Sequence, residues 1–83
     1  MKKVIIYSTP TCPYCARAKA LLGSLGVAYE EVDLASNPEL REQLSEKYHW
    51  QSVPMIVIGD EFVGGYDDLA KLQAEAELEK KLR

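Results

Sequence analysis

Cys12-Pro13-Tyr14-Cys15 lies where a strand pattern gives way to a helix pattern. The apolar, β-branched run 4–7 precedes it, and the helix-forming run 16–22 follows it. The two cysteines are the only ones in the chain, and they fall at the helix N-terminus and one turn inside. The positive end of a helix favours a thiolate, the nucleophilic form of cysteine. We therefore predict a redox pair, in which Cys12 attacks and Cys15 closes or expels a disulfide.

Other roles for the cysteine pair stay open at this point. A structural disulfide between residues so close in sequence would remove little entropy from the unfolded chain and would stabilise it weakly. Structural zinc needs four ligands, and only His49 could add to the single cysteine pair, so we predict no metal site. A non-enzymatic iron–sulfur carrier, with a cluster shared between two subunits, is the remaining metal hypothesis.

Length and composition limit the class of protein. The 83 residues, of which 47% are hydrophobic and 28% charged, predict one globular domain over residues 1–83 with a small core. No run approaches the roughly 20 apolar residues of a membrane span, so we expect no membrane partner. The Met1-Lys2-Lys3 start leads into a strand rather than a signal peptide. We expect a monomer in the reducing cytoplasm, where a CxxC pair is usually reactive rather than structural.

Charge is distributed unevenly within a net charge of −3. Up to Gly26 all charged residues are basic (Lys2, Lys3, Arg17 and Lys19), whereas the remainder holds all thirteen acidic residues. We expect a positive potential near the cysteines, with Arg17 and Lys19 supporting a thiolate and attracting an anionic thiol. The acidic total and the absence of a basic stripe with interleaved aromatic residues argue against binding to nucleic acid.

Hydrophobic periodicity predicts an α/β fold of seven elements in the order βαβαββα. The two strand–helix–strand crossings predict parallel strands, and the Gly59-Asp60 turn predicts an antiparallel hairpin, which together make a four-stranded mixed sheet flanked by three helices. Asp67 is expected to cap the last helix. The predicted strands are 3–7, 27–34, 52–58 and 61–63, and the predicted helices are 13–25, 38–48 and 67–82.

The predicted first helix also has an expected apolar face. Ala16, Ala20 and Leu21, followed by Leu25, recur at helical spacing, and Gly26 is a natural left-handed stop. In the second helix Leu40 and Leu44 are expected to point inward.

Three separated segments resemble the glutaredoxins, the glutathione-linked members of the thioredoxin-like fold. They are CPYC at 12–15, SVP at 52–54 and GGYDD at 64–68, and the match spans nearly the whole chain. The resemblance implies a glutathione-dependent thiol–disulfide oxidoreductase that reduces protein disulfides and glutathione mixed disulfides through Cys12 and Cys15. It also implies glutathione as co-substrate without a permanently bound cofactor, and disulfide-containing or glutathionylated proteins as partners.

The resemblance further implies how glutathione would bind. Pro54 would be cis and would leave the backbone of Val53 free to pair with an extended peptide. Asp67 would take the ammonium group, while the helix N-terminus there would hold the neighbouring carboxylate. Arg41 would hold the glycine carboxylate, the alternative being a solvated arginine on the helix surface. The glutathione-binding residues implied in this way are Tyr14, Arg41, Val53, Pro54, Gly65, Tyr66 and Asp67.

One departure from the family pattern keeps an alternative open. Many glutaredoxins have a lysine three residues before the first cysteine, where this chain has Thr9. Losing that cation weakens the expected support for the thiolate and for glutathione. The alternative is a glutathione-independent redoxin, reduced by a thioredoxin-reductase-type flavoenzyme and serving an acceptor such as ribonucleotide reductase. Trp50 fits either a partner contact or the edge of the core.

Overall fold

The computed structural model describes residues 2–83, in which a four-stranded sheet is packed with four helices. The mixed sheet confirms the predicted α/β fold, and the strand order is β2-β1-β3-β4. The elements are β1 (Val4–Ser8), α1 (Pro13–Ser24), β2 (Glu30–Asp33), α2 (Pro38–Tyr48), β3 (Met55–Ile58), β4 (Glu61–Gly64), α3 (Tyr66–Ala74) and α4 (Leu78–Leu82).

The direction of β3 differs from the prediction. β1 and β2 are parallel, as expected for a strand–helix–strand crossing. β3 is antiparallel to β1, with Met55 opposite Tyr7, so the prediction of a second parallel crossing is wrong. Segment 49–54 joins α2 to β3, and the pairing of Met55 with Tyr7 places the start of β3 near the end of β1. β3 therefore begins beside the cysteine loop, and β4 follows as the predicted antiparallel hairpin.

Helices cover both faces of the sheet, as predicted. α2 covers one face and closes a smaller core around Leu34, Leu44 and Met55. On this side the ring of Tyr48 stacks on Phe62 with centroids 4.4 Å apart. α1, α3 and α4 cover the other face. The buried residues of that larger core are Val4, Ile6, Ala18, Leu22, Val27, Ile56, Ile58, Leu69, Leu78 and Leu82.

α1 packs on the sheet with a face that the apolar pattern does not predict. Cys15, Ala18 and Leu22 are buried, whereas Ala16 and Ala20 are exposed. Alanine occurs on both sides of this helix, so the spacing of small apolar residues does not distinguish the two faces. The consequence matters for the site, because Cys15 points toward the sheet.

Residues in the left-handed region follow three of the helices. Gly26 (φ 70°) follows α1, as predicted, and His49 (φ 53°) is the C-cap of α2. Ala76 (φ 58°) lies between α3 and α4, so the predicted single helix 67–82 is divided in two. An alanine in this region carries no glycine-like signal, which is why the pattern predicts an uninterrupted helix.

The start of β1 lies beside the end of α4. The backbone N–H of Lys2 donates to the carbonyl of Leu82 at 2.7 Å, and the N–H of Gly59 donates to the carbonyl of Lys3 at 2.8 Å. These contacts lie at the end of the sheet opposite the cysteine loop, because β1 runs away from them toward Cys12. Within residues 2–83, none of the helices has the length and apolar character needed to cross a membrane.

Candidate active site

Cys12 is the N-cap residue of α1. Its extended backbone (φ −94°, ψ 111°) lets the Sγ atom accept a hydrogen bond from the backbone N–H of Cys15 at 3.1 Å. This is the bond that an N-cap side chain makes to the third residue of a helix. The first turn of α1 contains no acidic side chain. The positive end of the helix is therefore available to a sulfur anion at Cys12.

Cys15 is in a different environment, one turn inside the helix. It is 1% exposed, and both cysteines are reduced thiols in the structure. The pKa of the Cys15 thiol is raised to about 12, chiefly by burial and then by a hydrogen bond to Cys12 and the charge of Cys12. A backbone hydrogen bond from Thr9 and the charge of Lys19 oppose the increase. Cys15 is therefore protonated near neutral pH and must lose its proton before it can attack.

The segment before β3 approaches Cys12 directly. The Val53–Pro54 peptide bond is cis, as the resemblance implies, and Pro54 is buried. The thiol of Cys12 donates to the carbonyl of Val53 at 3.5 Å. The expectation that both backbone groups of Val53 are free is therefore wrong for the carbonyl. Its N–H makes no hydrogen bond within residues 2–83 and is available to a ligand.

The N-terminus of α3 is built differently from the prediction that Asp67 caps it. Gly65 is the N-cap, and its backbone N–H donates to the carboxylate of Asp68 at 3.0 Å. Gly64 has φ 123°, and a Cβ atom there would collide with that carboxylate. Asp67 and Asp68 are both acidic residues in the first turn of α3. The close approach of the Gly64 backbone to the Asp68 carboxylate favours Asp68 as the residue that makes the capping hydrogen bond. Asp67 is left exposed in the first turn of α3.

A cleft of about 350 Å³ brings most of the predicted binding residues together. Six of the seven residues implied for glutathione line it, and Arg41 is the exception. Arg41 is partly buried on α2, so its role toward a carboxylate stays a prediction. The lining residues are Tyr14, Trp50, Ser52, Val53, Pro54, Gly65, Tyr66, Asp67 and Asp68.

Three of these lining residues, Trp50, Ser52 and Asp68, are absent from the predicted set. The indole of Trp50 packs edge-on against Phe62 with centroids 5.4 Å apart, and lies against the backbone of Gly65. Its Nε1 atom is buried and has no hydrogen-bond partner within the described chain. Trp50 therefore belongs both to the edge of the core and to the wall of the cleft. The only signal in the sequence is its position just before the SVP segment.

An aromatic and cationic rim borders the cleft on the α1 side. Tyr14 is 51% exposed, and its ring lies 6.3 Å from that of Tyr66. The guanidinium carbon of Arg17 lies 5.1 Å from the centre of the Tyr14 ring, within the range of a cation–π contact. Arg17 makes no ion pair with any carboxylate in residues 2–83, so its charge stays available near the site.

The predicted positive potential is partly cancelled by β2. Lys3 pairs with Glu30 and Lys19 pairs with Glu31, each at 2.8 Å. These acids come after Gly26 in sequence, but the parallel pairing of β1 and β2 brings them beside the basic segment. The charge asymmetry along the chain is therefore partly neutralised in space, whereas Arg17 stays without an ion pair within residues 2–83.

Comparison with known proteins gives consistent results at the level of sequence. The family model described as Glutaredoxin matches residues 4–63. The chain is 45% identical to a glutaredoxin of Pseudomonas aeruginosa, covering 99% of this chain and 98% of that protein. It is 42% identical to glutaredoxin 3 of Escherichia coli K12 over the whole of both chains.

Solved structures agree with this result. The solution structure of a glutaredoxin from Brucella melitensis is 48% identical and superposes with a TM-score of 0.89, covering 99% of this chain and 89% of that one. The crystal structure of a buckwheat glutaredoxin–glutathione complex is 25% identical and superposes with a TM-score of 0.93, covering 98% of this chain and 76% of that one.

Proposed function

This chain belongs to the glutaredoxin family and is a thiol–disulfide oxidoreductase, and we propose that it takes its electrons from glutathione through Cys12 and Cys15. The observation that carries the proposal is the position of the Cys12 sulfur. It lies at the positive end of α1 and contacts the carbonyl of Val53, a residue of the cleft wall. A substrate sulfur that enters beside Val53 therefore approaches the Cys12 sulfur at the N-terminus of α1.

The first step is an exchange at Cys12. The Cys12 thiolate attacks the glutathione sulfur of a glutathionylated protein, forming a bond between those two sulfur atoms and breaking the bond to the protein sulfur. The protein leaves as a thiolate and takes a proton from solvent. The N–H of Cys15, which lies 3.1 Å from Sγ, stabilises the negative charge before the attack and again when Cys12 later leaves.

Two routes then regenerate the enzyme. In the monothiol route, a second glutathione thiolate attacks the glutathione sulfur of the mixed disulfide, releasing glutathione disulfide and the Cys12 thiolate. In the dithiol route, which serves protein disulfides, Cys15 loses its proton and displaces the substrate thiol from Cys12. Two glutathione molecules then reduce the internal disulfide, and two electrons pass to it as glutathione disulfide forms.

Glutathione is proposed to occupy the cleft between Tyr14 and the N-terminus of α3. The unpaired N–H of Val53 suits the carbonyl of an extended peptide, and the N-terminal end of α3 suits a carboxylate. Asp67, exposed beside that helix end, suits the ammonium group of the same ligand. A similar fold has been solved as a complex with glutathione, which supports this placement.

Serine substitutions test the roles of the two cysteines. Cys12→Ser is expected to lower glutathione-dependent reduction of a glutathionylated peptide by at least about a thousandfold, because the nucleophile is lost. Cys15→Ser is expected to keep most of that activity and to lose reduction of a protein disulfide. The assay couples glutathione disulfide to glutathione reductase and NADPH. Substantial turnover by Cys12→Ser would contradict the proposal.

The source of electrons is tested in the same assay. Replacing glutathione and its reductase by thioredoxin reductase is expected to abolish turnover, and full activity under that condition would establish the glutathione-independent alternative. Binding is measured separately by the fluorescence of Trp50, the only tryptophan, which lines the cleft. Titration of Cys12→Ser with glutathione should change this fluorescence, and Asp67→Asn should weaken the apparent affinity.

The partners proposed on this basis are glutathionylated proteins and proteins with accessible disulfides, in a reducing compartment such as the cytoplasm. Ribonucleotide reductase is a candidate acceptor for the dithiol route and can be tested directly as a substrate. The iron–sulfur hypothesis predicts visible absorbance and a dimer after purification without oxygen, whereas the proposed enzyme is expected to be a colourless monomer.

A further inference from the structure

A cluster of three polar side chains lies between α1, β1 and β2. The hydroxyl of Ser8 donates to Oε2 of Glu31 at 2.7 Å, and the ammonium of Lys19 donates to the same oxygen at 2.8 Å. Ser8 is 1% exposed, and the side chain of Lys19 is 30% exposed. A single carboxylate oxygen therefore connects a buried hydroxyl with a partly buried ammonium, which restricts the position of Lys19.

This cluster lies next to Cys15. Lys19 follows Cys15 by four residues in α1, so the two side chains are neighbours on one face of the helix. Helical side chains lean toward the N-terminus, which brings the Lys19 chain back over the turn that holds Cys15. From the strand side, the buried Ser8 precedes Thr9, whose backbone lowers the pKa of the Cys15 thiol. The cluster therefore borders Cys15 from both α1 and β1.

We propose that Lys19, held by Glu31 and Ser8, is a positioning residue that stabilises the Cys15 thiolate during closure of the internal disulfide, an inference that rests on the roles proposed above for Cys12 and Cys15. In this step Cys15 gives its proton to water, and its sulfur bonds to Sγ of Cys12. The bond between Cys12 and the substrate sulfur breaks, and the substrate leaves as a thiolate. No external oxidant or reductant is needed, because one disulfide replaces another.

The need for such a group follows from the environment of Cys15. The pKa of this thiol is raised to about 12, chiefly by burial, and the charge of Lys19 is one of the contributions that lower it. The other groups that act on Cys15 are the Cys12 side chain, which raises its pKa, and the backbone of Thr9. The pKa of Lys19 is raised in turn by a hydrogen bond to Glu31 and by the charges of Glu31, Tyr29 and Cys15, so the electrostatic effect between Lys19 and Cys15 is reciprocal.

The surroundings of Glu31 keep its carboxylate in the form that holds Lys19. Hydrogen bonds from Lys19 and then from Ser8 lower the pKa of Glu31, and nearby Asp33 opposes this effect. The anionic carboxylate therefore persists throughout the range in which thiols titrate. Lys19 differs in this respect from Arg17, which makes no ion pair within residues 2–83 and packs on the Tyr14 ring at the rim of the cleft.

The experiment separates the two sulfur steps in one reaction. Reduced protein is mixed with excess dipyridyl disulfide, an uncharged reagent, and release of thiopyridone is followed by stopped flow. The first release reports attack by Cys12 and depends on reagent concentration. The second release reports the displacement by Cys15, and its rate does not depend on the reagent concentration. Both rates are measured across the neutral and alkaline pH range in wild type, Lys19→Met and Lys19→Arg.

Lys19→Met is expected to slow the second release by about three- to tenfold at neutral pH and to move its pH profile upward. The first release should change less than about twofold, because Lys19 lies on the face of Cys15. Lys19→Arg keeps the charge and should restore the second rate. Lys71→Met, an exposed lysine on α3, is the matched control and should leave both rates unchanged.

Several outcomes would overturn the assignment. An unchanged second rate in Lys19→Met, equal slowing of both releases, or failure of Lys19→Arg to restore the second rate would each exclude an electrostatic role at Cys15. The melting temperature of each variant identifies any general loss of folding. A failure of the proposed function is distinguishable, because Cys12→Ser would then release thiopyridone as fast as wild type, or Cys15→Ser would still show the second phase.

Discussion

The N-termini of α1 and α3 face the same cleft, and each contains one half of a capping box. In α1 the N-cap side chain of Cys12 accepts from the backbone of Cys15, the third helical residue. In α3 the N-cap backbone of Gly65 donates to the side chain of Asp68, which is also the third helical residue. In a complete capping box, the same helix N-terminus would contain both of these hydrogen bonds.

The difference shows how the two helix ends are used. α3 has two acids in its first turn, and these stabilise its positive end permanently. α1 has none, and the atom that caps it is a sulfur that must also leave the cap to react. The third position of α1 holds a buried thiol, whereas that of α3 holds an exposed carboxylate. One helix end is thus stabilised by a permanent charge, and the other is available for a charge that forms during the reaction.

We expect the buried thiol of Cys15 to destabilise the folded protein at alkaline pH. Its pKa is raised from 9.0 to about 12, so between those values the folded state holds a proton that the unfolded state has released. The stability that this thiol contributes is complete below pH 9 and decreases as the pH rises toward 12, by at most about 1.4 kcal/mol per pH unit. Urea unfolding of the reduced protein at several alkaline pH values measures the decrease.

Cys15→Ser is the control for this titration. Tyrosine and lysine ionisation affect both proteins, so the contribution of Cys15 is the difference between the two stability profiles. The serine variant is expected to lose stability less steeply in this range. Parallel profiles would show that the Cys15 thiol ionises equally easily in the folded and unfolded chains.

A smaller effect, on the reactivity of Cys12, is expected when an acidic residue is placed in the first turn of α1, as in the first turn of α3. Ala16 is exposed in the first turn of α1, and Ala16→Glu places a carboxylate near the Cys12 sulfur. Repulsion of the thiolate should slow alkylation of Cys12 by neutral iodoacetamide by about three- to tenfold at low salt. Ala20→Glu, one turn further along α1, should slow it less than about twofold, and added salt should reduce both effects. Equal effects of the two variants would show that the helix end has no special influence on Cys12.

The smallest expected effect comes from removing the cap of α3. Asp68→Ala leaves the N–H of Gly65 without its partner and is expected to lower the free energy of unfolding by about 1 kcal/mol. Asp68→Asn keeps an acceptor oxygen and should lose less. Asp67→Ala removes a charge but no capping hydrogen bond, with an expected cost of about 0.3–1 kcal/mol. Chemical denaturation measures all three, and a larger loss in Asp67→Ala than in Asp68→Ala would contradict the observed cap.

Local signals in the sequence predict those elements that local chemistry determines. The Gly59-Asp60 hairpin, the stop at Gly26 and the inward row of Leu40 and Leu44 all depend on residues close in sequence, and the structure contains each of them. The cysteine pair is likewise predicted at the junction of β1 and α1, because strand and helix patterns differ in period. The resemblance to the glutaredoxins additionally predicts most of the residues that line the cleft.

Features that depend on contacts distant in sequence are the ones that the pattern does not predict. Lys19 is isolated from acids along the chain, and only the pairing of β1 with β2 brings Glu31 to it. The antiparallel pairing of β3 with β1 joins residues about fifty positions apart, such as Tyr7 and Met55, and no spacing of apolar residues encodes it. At the N-terminus of α3, the sequence does not distinguish Asp67 from Asp68 as the capping residue. The close approach of the Gly64 backbone to the Asp68 carboxylate favours Asp68.

The contact between Lys2 and Leu82 has a consequence for how this chain can be rebuilt. Because those two residues are hydrogen-bonded, a linker of a few residues would connect Leu82 to Lys2 without displacing either one. New ends can then be opened at the Gly59-Asp60 turn, which lies at the same pole of the molecule. A circularly permuted enzyme made in this way would change its order of synthesis while every group around the cleft kept its neighbours.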